Sequence, residues 1–220
     1  NGNYEKAQKI FSEASNLLPY NSLPTYLLSS SMFKISQTNE NLDKVISYLA
    51  RENRNNHPII FPNPFWHNSL PTLCYAYYLR KKEIYERTTS PIYELCYTIT
   101  NYLTSVESEK IKISPYKIKT AIEELYLMGD KFIKNSELND PYLKSNIVLL
   151  ALTIQRHALS FYENTREKIK IKSDLLENKI DKLNLMFKDI SILSNFELER
   201  EKTFEKTKNY QFLLLLTIFI

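Results

Sequence analysis

Residues 2–19 read GNYEKAQKIFSEASNLLP, and this stretch decides the fold. Four of its side chains, in pairs seven residues apart, share one face of a helix: Tyr4, Ala7, Phe11 and Ala14. The alanines let a second helix approach closely, and the rings wedge between neighbouring helices. Gly2 permits a tight turn between paired helices, and Pro19 ends the helix after Leu18. The stretch therefore predicts a helix over residues 3–18 that packs against others.

The spacing Gly-x-Tyr-x-x-Ala-x-x-x-Phe-x-x-Ala-x-x-x-x-Pro resembles the second helix of a tetratricopeptide (TPR) unit. The next helix is similar to a TPR first helix, because Leu28 and Ser29 stand where that family has a Leu and then a small residue. The helix over residues 39–51 departs from the pattern, because it lacks the Gly that the family has before this helix and the small residues that the family has within it. The resemblance implies stacked helical hairpins whose concave groove holds a peptide or helix of a partner protein.

A duplicated pentapeptide supports internal repetition. The sequence NSLPT occurs at residues 21–25 and again at residues 68–72, an offset of 47 residues, and each copy opens an expected helix. The TPR period is about 34 residues, and the proline-rich loop between the copies accounts for the excess. The sequence thus predicts a degenerate repeat.

Prolines that follow a capping residue predict where further helices begin. The expected helices cover residues 22–36, 39–51, 69–82, 90–105, 114–128 and 140–164. Gly129 is expected to stop or kink the fifth of these. Two stretches alternate charged and β-branched residues, and we interpret residues 110–113 as an extended linker and residues 168–172 as helix. The predicted fold class is all-α, with a TPR-like stack over residues 1–164.

Composition limits the classes of function. The hydrophobic fraction of 43% allows a packed core, and two glycines in 220 residues exclude a Gly-rich phosphate loop. The net charge of +4 comes from interspersed signs, and the lysines of residues 110–119 are offset by Glu107 and Glu109. We therefore expect no nucleic-acid partner.

The residues that carry chemistry are scattered. His57, His67 and His157 lie far apart, and none has metal-ligand spacing with a Cys or a carboxylate. No nucleophile elbow occurs, so we expect no catalytic residue, cofactor or metal, and no enzyme activity. Cys74 and Cys96 lie in apolar helical stretches. They are therefore expected to be either two buried free thiols or one disulfide.

A loop over residues 53–66 alternates prolines with aromatic side chains and cannot be helical. Three aromatic residues are its candidates for a role: Phe61, Phe65 and Trp66. Two interpretations are open. The rings fill a gap between helix pairs, or they form a loop that faces a partner.

The C-terminal third is expected to be a long charged helix over residues 165–210. Five apolar residues have 4-3-4-3 spacing: Leu176, Ile180, Leu183, Phe187 and Ile190. This seam indicates either self-association as a coiled coil or an amphipathic helix packed on the stack.

Residues 211–220 contain an uncharged run, Phe212 to Ile220, which predicts either the start of a transmembrane helix or a buried terminal helix. Basic residues before it favour a cytoplasmic helical domain on a single-pass membrane protein.

The sequence therefore predicts a non-enzymatic protein–protein interaction scaffold, tethered to a membrane. The alternative is the input domain of a membrane-anchored signalling or transcription regulator, whose output domain lies beyond residue 220.

Overall fold

The computed structural model describes residues 3–61, 74–108, 113–135, 141–182, 185, 188–195, 198–199, 202 and 206. Seven helices are defined: α1 (Tyr4–Leu17), α2 (Leu23–Ile35), α3 (Asn39–Arg54), α4 (Cys74–Ser108), α5 (Pro115–Asn135), α6 (Pro141–Ile169) and α7 (Asp174–Ile180). Residues 188–195 are also helical. These described ranges contain no β-strand, so the predicted all-α class is confirmed.

Local capping explains where the helices begin. The side chain of Asn3 accepts a hydrogen bond from the backbone N–H of Lys6, and Thr38 does the same for Asn41. Helices α2, α5 and α6 begin at or one residue before a proline, as predicted, because proline lacks the N–H that a first turn leaves unused.

Helices α2 to α6 form the body of the fold, and α1 and α7 pack on its outside. Helix α2 packs against α3 and α4, and α3 packs against α5. Helix α6 lies along both α4 and α5, while α1 covers α2 and α7 covers the end of α6. One hydrophobic core runs through α2 to α7, and its largest fully buried rings are Tyr26, Phe33, Phe132 and Tyr162.

Helix α4 corrects the prediction of separate helices over residues 69–82 and 90–105. It runs unbroken from residue 74 to residue 108, with Pro91 in its interior. An interior proline costs about 3 kcal/mol in an isolated helix. Burial of the turns that follow outweighs that penalty, since three side chains there are fully buried: Ile92, Leu95 and Ile99. In addition, the Ser30 hydroxyl donates a hydrogen bond of 2.6 Å to the Pro91 carbonyl oxygen.

Gly129 neither stops nor kinks α5, which continues to Asn135. The glycine lies where α5 and α6 come closest. A Cβ atom at this position would lie 2.5 Å from Cγ of Gln155 and 2.8 Å from the carbonyl oxygen of Ala151. The missing side chain therefore serves close helix packing, not a turn.

We expect Gly129→Ala to destabilise the protein by about 1–3 kcal/mol, because the added methyl group must displace a backbone carbonyl on α6. In a helix without this contact the same change stabilises by roughly 1 kcal/mol, so the sign is diagnostic. Urea denaturation measures the free energy of unfolding. Ser47→Ala, at an exposed position of α3, is the control and should change it by less than about 0.5 kcal/mol. A more stable Gly129→Ala protein would rule out the close approach.

The C-terminal third differs from the expected continuous helix over residues 165–210. Helix α6 runs past residue 164 and ends at Ile169, so the prediction of helix over residues 168–172 is wrong beyond that point. Lys170 has a φ angle of 53°, in the left-handed region, which turns the chain. Ile171 is then buried in the core, and this burial explains why the alternating pattern is not helical.

A buried polar cluster holds α7 against the body of the protein. The Tyr162 hydroxyl accepts a hydrogen bond from the backbone N–H of Ser173 and donates one of 2.8 Å to Glu177. The Ser173 side chain caps α7 and also donates to the carboxylate of Glu123 on α5. Tyr162 and Ser173 are both fully buried, so this junction is part of the core.

The predicted seam divides at this junction. Leu176 is fully buried, Ile180 packs against the same core, and the chain turns at residues 181–182. Ile190 is half-buried, whereas Leu183 and Phe187 lie outside the described residues. Self-association through this seam stays a prediction. Its first two members pack on the protein itself.

Several predicted features lie outside the described residues: Gly2, Phe65, Trp66, His67, residues 68–72, the linker residues 110–112 and the run from Phe212 to Ile220. In the described part of the chain, no helix combines the length and the apolar character that a membrane span requires.

Candidate functional site

Helix α1 rests on α2 without being enclosed. Ala7, Phe11 and Ala14 are half-buried on the side that meets α2, and Phe11 packs against the core. Tyr4, from the same predicted set, is 42% exposed. No residue of α1 is fully buried, although the helix has a clear apolar face. The contact surface of this helix is therefore only partly used within the chain.

The two predicted residues of α2 lie on its inner side. Leu28 is buried, and Ser29 is fully buried with its hydroxyl donating to the carbonyl oxygen of Thr25 at 2.9 Å. Bonding within the helix satisfies this hydroxyl, so the small side chain can sit in an apolar contact.

Two clefts of about 500 Å³ each flank α1. The apolar cleft lies between the first half of α1, α2 and α4, and its floor includes Phe11, Leu27 and Pro91. The polar cleft lies between the second half of α1, α2 and α3. Its walls are polar side chains from all three helices and the following loop: Ser12, Asn16, Thr25, Tyr48, Arg51 and His57. Both volumes are in the range of ligand-binding clefts.

An ion pair forms the floor of the polar cleft. Nε and Nη2 of Arg51 lie 3.0 and 2.9 Å from the same Glu52 oxygen, and the guanidinium lies over the ring of Tyr48. The side chain of Arg51 is 60% exposed, and that of Glu52 is 5% exposed. The cation therefore faces the cleft, and the carboxylate lies behind it.

The last turn of α3 fixes this pair to the rest of the protein. The Asn53 side chain accepts from the Tyr26 hydroxyl at 2.9 Å and donates to the Glu124 carboxylate at 2.8 Å. Arg54 pairs with the other oxygen of Glu124, which is almost completely buried. We call this hydrogen-bonded set the α3 junction. It joins α2, α3 and α5.

Lys131 of α5 completes the α3 junction. Its ammonium group donates to the backbone carbonyl and to the side-chain oxygen of Asn55, immediately after the helix end. Burial lowers the pKa of Lys131, against the opposing effect of Glu52. Burial, followed by Glu52 and Glu124, raises the pKa of Tyr26 well above its usual value. These shifts follow from taking charged and polar groups out of water.

The α3 junction was not predicted from the sequence, because the third helix was expected to end at residue 51. The sequence contains one indication of this network. Charged and amide side chains follow an amphipathic helix in the run RENRNN over residues 51–56. Such a run is more often a solvated helix end. Only tertiary placement of Glu124 and Lys131 beside it makes it a buried network.

We expect Asn53→Ala to lower the free energy of unfolding by about 2–4 kcal/mol, because it leaves the buried Tyr26 hydroxyl and one Glu124 oxygen without their Asn53 hydrogen bonds. The adjacent Asn56 is exposed, so Asn56→Ala is a matched control and should change it by less than about 0.5 kcal/mol. Urea denaturation followed by circular dichroism measures both. Equal effects of the two substitutions would show that the α3 junction does not support the fold.

His157 joins α6 to α4. Its Nε2 lies 2.8 Å from the Thr100 hydroxyl, and its ring lies against that of Tyr97. Burial, and then the neighbouring charge of Arg156, lower the pKa of His157. The folded protein therefore favours the neutral ring, and His157 is a packed helix residue with a hydrogen bond.

The lowered pKa of His157 predicts a loss of stability in mild acid. As the pH drops below the usual histidine pKa of 6.5, His157 becomes protonated more readily in the unfolded chain than in the folded protein. The free energy of unfolding therefore decreases as the pH is lowered. We expect this fall to be smaller in His157→Gln, measured by urea denaturation between about pH 7.5 and pH 5.5. Ser160→Ala, on the same helix, should retain the wild-type slope. An unchanged slope in His157→Gln would contradict the assignment.

Phe61, in the predicted loop, lies in the core. It is 8% exposed, and its ring packs against Tyr85 of α4 and Phe132 of α5. The neighbouring Ile59 is fully buried. This position fits the interpretation in which the loop fills a gap between helix pairs.

Cys96 is a buried free thiol, and burial raises its pKa to about 12. The thiolate needed for nucleophilic chemistry is therefore scarce at neutral pH. The side chain of Cys74 lies outside the described residues. Within the described ranges, no group of three or more His, Cys, Asp or Glu side chains is placed to hold a metal ion.

Large apolar side chains are exposed on α1 and in the turn that follows it. Leu17, Leu18 and Tyr20 are 80%, 52% and 75% exposed, and Ile10 on the same helix is half-exposed. We call this set the α1 edge. All four side chains are at least half exposed, and the Tyr20 ring contacts that of His57, which lines the polar cleft.

Comparison of the chain with protein-family models, with curated proteins and with solved structures gives no match. The TPR likeness therefore rests on the residues of the chain alone.

Proposed function

We propose that the protein is a non-enzymatic, TPR-like scaffold that holds a peptide or helix of a partner protein beside α1. The observation that carries the proposal is the position of α1. This helix is flanked by two clefts of about 500 Å³, and no residue of it is fully buried. In a stack of helical hairpins, each helix normally buries its apolar face against its neighbours.

The α1 edge favours a macromolecular partner. Exposed apolar side chains that cluster beside a cleft are typical of protein-binding surfaces, whereas scattered ones carry no meaning. Tyr20 of the α1 edge contacts His57 of the polar cleft, so one extended segment can contact both. Such a segment would bury its apolar side chains at the edge and direct polar ones into the cleft.

The membrane tether is a further part of the proposal and rests on the uncharged run from Phe212 to Ile220 and on its basic flank. A single span there would place the helical domain on the cytoplasmic side.

The alternative is an input domain of a membrane-anchored regulator. One observation favours it. The chain leaves the helical body through α7, which Tyr162, Ser173 and Glu177 join to the core. A partner that changes the packing of α6 would act on this junction, and thereby on whatever follows.

Site-specific photo-crosslinking tests the scaffold proposal. A benzophenone amino acid is placed at Asn16, which lines the polar cleft, or at Leu17 of the α1 edge, and at Asn178, an exposed residue of α7, as the control. The full chain is then irradiated in native membranes. We expect a discrete protein adduct from the first two positions and none from the third. Adducts at all three positions, or none at Asn16 and Leu17, would contradict binding beside α1.

Once the crosslinked partner protein has been identified, hydrogen exchange measured with and without that partner distinguishes a scaffold from a sensor. A sensor requires that partner binding alter the exchange rate of the Leu176 amide, which Ser173 holds at the start of α7. A scaffold leaves that rate unchanged and slows exchange only in α1 to α3.

A further inference from the structure

The polar cleft contains an arginine whose hydrogen-bonding capacity is only partly used. Arg51 directs Nε and Nη2 to one Glu52 oxygen, and Nη2 also lies 3.5 Å from the Thr25 hydroxyl. Its Nη1 makes no hydrogen bond to any described residue. A guanidinium has five N–H donors, so at least two remain for a group within the cleft.

Glu52 does not compete for a ligand from within the cleft. One of its carboxylate oxygens accepts a hydrogen bond from the Arg51 guanidinium, and the other accepts a 2.7 Å hydrogen bond from the Asn55 side-chain amide. The carboxylate is 5% exposed, whereas the arginine is 60% exposed. A molecule that enters the cleft therefore meets the cation first, and its counter-ion is shielded behind it.

The other free groups of the cleft are suited to the same kind of ligand. The Tyr48 hydroxyl, the Ser12 hydroxyl and the Asn16 amide line the cleft, and none of them makes a hydrogen bond through its side chain to a described residue. The Nδ1 atom of His57 is buried without a partner in the described structure. Hydroxyl, amide and guanidinium donors around one space fit an acceptor-rich anion.

We propose that the polar cleft binds a carboxylate side chain of an acidic segment in the partner protein, with Arg51 as the principal contact. Its Nη1 donates to the carboxylate, and the stack on Tyr48 and the pair with Glu52 hold the guanidinium in place before binding. The proposal rests on the proposed function, because the acidic segment belongs to the protein held beside α1.

The binding test uses the full chain and an acetylated, amidated octapeptide of alternating Glu and Ala. Blocked ends leave only side-chain carboxylates as anions. The control peptide has Gln in place of Glu, and inorganic phosphate forms a third arm. Isothermal titration calorimetry at low salt measures affinity, because screening weakens such contacts. We expect the Glu peptide to bind and the Gln peptide to bind at least about tenfold more weakly.

The variants test whether Arg51 makes the contact. Arg51→Gln is combined with Glu52→Gln, so that no buried carboxylate loses its partner. This double substitution should lower the affinity for the Glu peptide at least about tenfold, and Tyr48→Ala should lower that affinity by a smaller factor. Lys9→Gln removes one positive charge from an exposed site on α1 outside the cleft, and we expect less than about a twofold change. Circular dichroism checks that each variant is folded.

Several outcomes would overturn the inference. Equal affinity for the two peptides would show that carboxylates are not recognised. Weakening by Lys9→Gln as large as that by the Arg51 pair would show that the peptide does not depend specifically on Arg51. If phosphate binds and the Glu peptide does not, the cleft serves a free anion and not a partner segment. Competition between phosphate and the Glu peptide would support a shared oxyanion contact. Photo-crosslinking at Leu17 tests the scaffold proposal independently of the peptide titration. An adduct at Leu17 would therefore still support a scaffold if the carboxylate proposal fails.

Discussion

The α3 junction is the constraint on which the rest of the site depends. Asn53 and Arg54 bind the buried Glu124, and Lys131 binds Asn55, the residue that follows the end of α3. A carboxylate buried this deeply is tolerated only when its oxygens are satisfied, so α3 and α5 have one mutual position. That position directs Glu52 inwards and Arg51 outwards. The polar cleft is therefore a consequence of a buried network below it, although no residue of α5 lines the cleft itself.

Much of the fold was predictable from helix signals, and the failures share one cause. The caps and prolines that begin α2, α5 and α6 act locally, so the sequence predicts those starts correctly. Pro91 and Gly129 carry the same local signals for a start and a stop, yet both lie inside long helices. Their meaning is set by neighbours distant in sequence, namely Ser30 of α2 and Gln155 of α6. Local propensity gives way where tertiary contacts are strong.

The candidate site was predictable only in part. The TPR-like spacing predicted that Ala7, Phe11 and Ala14 share one packing face of a helix, and all three side chains are half-buried. It did not indicate that α1 would lack any buried residue, because spacing describes a face and not what covers it. The polar cleft was missed altogether. Its arginine looks like an ordinary charge at a helix end until Thr25, Tyr48 and the α3 junction surround it.

The C-terminal junction bears on the choice between scaffold and sensor. A seam with coiled-coil spacing suggests a rigid rod that leaves the domain, but Leu176 faces inwards and the chain turns after Ile180. The link from the core to the following residues therefore passes through the short α7 and its hydrogen bonds to Tyr162. A hydrogen-bonded junction of this kind either opens or stays closed, because half-satisfied buried polar groups are costly. It can transmit a signal only if partner binding favours the open state, whereas a scaffold requires that it stay closed.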